Sequence, residues 1–138
     1  AGRRLMLGAL RAALVTACFV CMARPVAADD KVSFAMDLMP TLKARCAVCH
    51  MTGGEPGGMA LTPDTAWSDL VGRDAMGLPS MKRVNPGEPQ SRYLMHKLWG
   101  SHRTVGGNGS RMPLHQPPLT AALIADFEIW VSAGAPNN

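Results

Sequence analysis

Aromatic side chains are scarce in this sequence: three Phe, three Trp and one Tyr among 138 residues. So few rings leave no platform on which nucleic-acid bases could stack. Acidic residues are missing altogether from residues 1–28, which hold Arg3, Arg4, Arg11 and Arg24. Beyond Ala28 ten cations meet ten acids, so the net charge of +4 comes from that first segment alone. A basic groove for phosphates is thereby excluded, because such binding needs clustered Lys and Arg. The longest largely apolar run, residues 12–23 with Thr16 as its one polar member, is twelve residues long, too short to span a bilayer. Beyond residue 28 no second CxxC and no HxxxH pair completes a four-ligand zinc site. What the chain does have is 47% hydrophobic residues, enough to build the core of one domain.

The N-terminus has three parts: basic residues, the apolar run, then Arg24-Pro25-Val26-Ala27-Ala28. Val26 and Ala28 suit the −3 and −1 pockets of a signal peptidase, and Asp29-Asp30 follow. Residues 1–28 are therefore expected to be a secretory signal peptide and residues 29–138 the mature domain, exported to the periplasm. After cleavage no stable membrane span is expected; an uncleaved signal would leave the protein anchored. Cys18 and Cys21 also form a CxxC, but inside the apolar signal core, and are read as incidental.

Cys46-Ala47-Val48-Cys49-His50 is CxxCH, the attachment sequence for haem c. On a helical turn Cys46 and His50, four residues apart, share a face, and Cys49 completes a three-point grip. Two thiols can then add to the two vinyl groups of the porphyrin while the imidazole meets the iron. His50 is expected as the proximal ligand, neutral and donating its other N–H to a backbone carbonyl. A thioredoxin-like pair would need a strand before the motif, and none is patterned there.

The distal side of the iron has several candidates. Met51 adjoins His50 and cannot reach around the ring; Met95 and His96 fall within a predicted helix over residues 90–99. Met59, Met76 and Met81 lie in Gly/Pro-rich surroundings. Met112 sits in Gly106-Gly107-Asn108-Gly109-Ser110-Arg111-Met112-Pro113, a loop stiffened by the proline and placed just before the last helix. Met112 is the expected distal ligand, with His102 and His115 as the imidazole alternatives.

The rest of the chain predicts helices and no convincing strand. Phe34, Leu38 and Leu42 recur every four residues, with Pro40 expected to kink or split that helix. Thr62-Pro63-Asp64 reads as a helix start, and a final helix is expected from Thr120 with Leu123, Ile124, Phe127, Trp130 and Val131 on its apolar face.

Taken together, a helix leading into CxxCH, a Met-Pro loop and a terminal helix ending Trp130-Val131-Ser132-Ala133-Gly134-Ala135 resembles a class I c-type cytochrome. The stretch from Val84-Asn85-Pro86-Gly87 to Arg92-Tyr93-Leu94, together with residues 112–135, is similar to the planctomycete-type cytochrome c module. The resemblance implies an all-α fold, three to five helices around one covalently attached haem, with the first and last helices crossing beside it. It also implies single-electron transfer between transient redox partners of the cell envelope, without a substrate site. Two other readings stay open: a haem enzyme or small-molecule sensor with an open distal site, and a haem subunit of an envelope dehydrogenase or oxidase complex.

Overall fold

Ser33 opens the first helical segment by accepting the Met36 N–H on its Oγ at 3.1 Å, while Asp37 accepts the Ser33 N–H at 2.7 Å. Pro40 has no N–H to return to the preceding turn, and the chain resolves this by changing register. A π-type turn, Phe34–Leu38, comes first, and the α-helix α1, Met39–Arg45, then starts with Pro40 in its first turn. Phe34, Leu38 and Leu42 point inward as one stripe and are buried. This is a computed structural model, and it describes residues 31–88, 90 and 92–138. The expected signal segment, with Cys18 and Cys21, lies outside the described residues, as does the exact start of the mature chain. Among the described residues, no helix is long and apolar enough to cross a membrane.

Helix α2, Ala66–Leu70, forms one turn later than the Thr62-Pro63 signal suggests, because residues 62–65 make a separate turn in which Thr62 and Thr65 hydroxyls bond at 2.8 Å. Helix α3, Tyr93–Trp99, ends on Gly100 in the left-handed conformation. A 3₁₀ turn, His102–Val105, interrupts the long connection that follows. Helix α4, Ala121–Ser132, is capped by Thr120, whose hydroxyl accepts the Leu123 N–H. It returns to the start of the domain: the Phe34 and Trp130 rings lie 5.1 Å apart, and the Asn138 carbonyl accepts the Ala35 N–H at 2.8 Å.

The expected all-α, class I cytochrome c fold is not what the chain adopts. Between α2 and α3 it forms an antiparallel hairpin, β1 (Asp74–Ala75) with β2 (Leu78–Lys82), so the fold is mixed, with four short α-helices and a two-stranded sheet among the described residues. The reason is local. Gly72 takes a φ of +72°, Gly77 makes the tip, and Pro79 bars a helix over the same residues. The backbone groups left over are satisfied across the hairpin base, where Gly72 N–H donates to Val84 O at 2.9 Å and Arg83 N–H to Arg73 O at 2.7 Å. Leu38, Leu42, Leu70, Val84, Met95, Phe127, Trp130 and Val131 fill the core behind one large cavity.

Candidate functional site

Helix α1 runs straight into the CxxCH segment. Cys46 N–H still donates to Leu42 O at 3.0 Å, and His50 N–H donates to Cys46 O, also at 3.0 Å. The motif is thus wound as a helical turn, which brings Cys46, Cys49 and His50 onto the wall of a single cavity of about 550 Å³. Organic ligands are commonly held in pockets of ~300–1,000 Å³. Both thiols are free; Cys46 is half-buried and Cys49 exposed. Burial pushes the Cys46 thiol up to about 11 despite the neighbouring Arg45, with Cys49 adding a smaller upward push. A redox-exchange cysteine needs the opposite, a thiol lowered toward neutral pH.

His50 is buried, and burial lowers its pKa; Glu55 works against this, while Arg83 and Lys97 add to it. The ring is therefore held neutral, the form that binds a metal. Its Nδ1 is enclosed and finds no hydrogen-bond partner. The carbonyl partner expected for that nitrogen is absent; the backbone packed against the ring is that of Gly57, whose carbonyl accepts from Arg83 Nη2 at 3.0 Å. Only glycine fits at position 57. A Cβ there would lie 3.3 Å from His50 Cε1 and 3.1 Å from Met59 Cε, and the φ is +104°.

Met112 reaches the same cavity from the opposite end of the chain. Its N–H donates to Lys97 O at 2.9 Å, which ties the loop to the end of α3. Met59 and Met76 also line the cavity, Met59 packed against the core and Met76 exposed. Met95 is fully buried in the core and Met81 does not reach the wall. Neither imidazole alternative lines the cavity. His102 is buried with Nε2 against Gly109 O at 3.0 Å, and His115 is exposed.

Several wall residues carry no signal in the sequence. Arg45, Arg83 and Lys97 line the cavity, and no carboxylate does. Arg45 reaches across to the Met112 loop, with Nε on Gln116 Oε1 at 2.6 Å and a terminal nitrogen on Pro117 O at 2.7 Å. Tyr93 stands between the hairpin tip and the Met112 loop: a side chain at Gly77 or Gly107 would collide with its ring. Its hydroxyl donates to Asn108 O at 3.0 Å, as does Lys97 Nζ, whose charge lies 5.6 Å from the ring centre.

These walls fit a haem. Leu42, Leu61, Leu70, Leu94, Leu98 and Phe127 supply apolar surface for a macrocycle, and the three cations suit a group bearing two carboxylates. The two thiols and the unpaired imidazole are spread along one wall. Among the described residues, no three His, Cys, Asp or Glu side chains converge as they would on a bare metal ion. No protein-family model, no curated protein and no solved structure matches the chain.

Proposed function

We propose that the chain is a monohaem c-type cytochrome of the cell envelope, passing single electrons between transient redox partners in the periplasm. One observation carries this reading: Cys46, Cys49, His50 and Met112 all stand on the walls of one cavity of about 550 Å³. Covalently bound haem c would supply reversible one-electron exchange at its iron. Cys46 and Cys49 would hold the ring through thioethers, while His50 would offer a neutral imidazole and Met112 a thioether. Sulfur on the distal side favours the ferrous state relative to a second imidazole. Apolar walls act in the same direction, because they disfavour the extra charge of the ferric form.

A haem enzyme or sensor would need a polar distal group, and neither His102 nor His115 lines the cavity. The proposal is tested by producing the full chain in a host that attaches haem c. The exported protein is expected to carry one haem by mass, with the alkaline pyridine spectrum of two thioether links. The ferric protein should show a methionine–iron band that does not respond to cyanide or carbon monoxide. Rapid binding of either ligand would favour the enzyme or sensor, and copurification with a dehydrogenase or oxidase would identify a complex subunit.

A further inference from the structure

Arg83 follows β2 directly and is buried, at 9% exposure. Nη1 donates to Asp69 O at 2.7 Å, and Nη2 donates to Gly57 O at 3.0 Å and Gly58 O at 2.9 Å. Its Nε is enclosed without a partner. All its hydrogen bonds go to carbonyls and none to a carboxylate. A buried cation so arranged costs the fold more than an apolar side chain would, unless its charge or its grip has a use.

The grip is visible. Asp69 of α2 accepts the Ala60 N–H on Oδ2 at 2.7 Å, and Thr65 donates its hydroxyl to Ala60 O at 3.0 Å. Leu61 N–H then donates to His50 O at 2.7 Å. Arg83 and Asp69 together fasten residues 57–61 against the imidazole. The charge is the second consequence. Guanidinium stays protonated at any physiological pH, and Arg83 stands on the cavity wall close enough to His50 to act on its charge.

We propose that Arg83 sets the redox potential of this site: it is a positioning residue for the His50 side and a fixed buried cation that favours the reduced form. The inference rests on the haem reading above. The reaction it biases is the gain of one electron from a donor protein, in which no bond is made or broken and no proton moves. The oxidised site carries one more positive charge than the reduced one, so a cation in a poorly screened wall disfavours oxidation. Other charges nearby fix the expected signs. Lys97 acts with Arg83, whereas Glu55 at His50 and Asp69 at Arg83 act against them.

The test is potentiometric titration of the haem-loaded full chain beside its Arg83→Gln and Arg83→Lys variants, with amide exchange at Ala60 and Leu61 as a second readout. Arg83→Gln is expected to lower the midpoint potential while keeping one haem per chain and the methionine–iron band. Arg83→Lys keeps the charge without the fork, so it should restore most of the potential while exchange at Ala60 stays raised in both variants. A wild-type potential in a folded Arg83→Gln protein would overturn the proposal, and so would equal lowering by Lys and Gln. Asp69→Asn leaves Arg83 in place and removes the carboxylate whose charge acts on it, so it gives an answer even if the Arg83 variants do not fold. It should raise the potential; a lower or unchanged value also overturns the proposal. A wild-type chain that exports with free Cys46 and Cys49 and no haem would end the haem reading itself, before any variant is compared.

Discussion

The two long walls of the cavity are built by different means. The Cys46–His50 wall is a short helical turn continuing α1, and its outer segment is fastened by side chains from elsewhere, Arg83 and Asp69. The Met112 wall is a long loop held at scattered points: Lys97 O on the Met112 N–H, Arg45 on Gln116 and Pro117, and Tyr93 on Asn108. One wall presents three chemical groups within five consecutive residues. The other presents one, and its position depends on contacts with three residues on two other elements, Arg45 of α1 and Tyr93 and Lys97 of α3. The first wall should therefore respond to mutation in an all-or-none way and the second in graded steps.

The largest effect is expected on the motif wall. Cys46→Ser or Cys49→Ser should abolish double thioether attachment, which the pyridine spectrum and the mass of the exported protein would show. Cys18→Ser and Cys21→Ser should leave the haem content unchanged. If Cys46→Ser still yields doubly linked haem, the two walls are wrongly assigned.

Next comes Met112→Ala, which should open the distal position, lower the potential and remove the methionine–iron band while covalent haem is retained. Met59 and Met76 share the cavity, so Met59→Ala and Met76→Ala are the sharpening controls and should keep the band. Loss of the band in either of these, with Met112→Ala intact, would move the ligand to another wall. Met95→Ala tests the core behind both walls. Its side chain is fully buried and off the cavity, so truncation should cost about 2–5 kcal/mol of stability by denaturant melting and leave the iron spectrum alone.

The smallest effect concerns Glu55, at the exposed edge of the motif wall. Hydrogen bonds hold its carboxylate below the ordinary value of 4.5, first from its own backbone and then from Thr52 and Gly53. A lowered carboxylate supports folded structure above the unfolded value and withdraws that support as pH falls through the folded one. Protection against amide exchange at Thr52 and Gly53, taken relative to the intrinsic rate at each pH, should therefore fall below pH 4.5 and stay constant above it. Partial exposure keeps the effect small, and Glu55→Gln should remove it.

Legibility in the sequence follows the same divide. The CxxCH turn is readable because its four-residue spacing acts over one helical turn, and the α4 cap at Thr120 is readable for the same reason. The hairpin is not: β1 is two residues long, and Gly77 and Pro79 carry loop signals whether or not a strand forms around them. Arg83 is silent as well, since its acceptors lie 14, 25 and 26 residues away and no local pattern links them.

Tyr93 adds a consequence of another kind. Wedged between Gly77 and Gly107, its ring works as a gauge block that fixes how far the hairpin tip and the Met112 loop stand apart. Neither glycine tolerates a side chain without moving that block, so two distant loops share one tolerance. Clearance on the Met112 side is thus machined by an aromatic ring that touches both loops and is itself rooted in the first turn of α3.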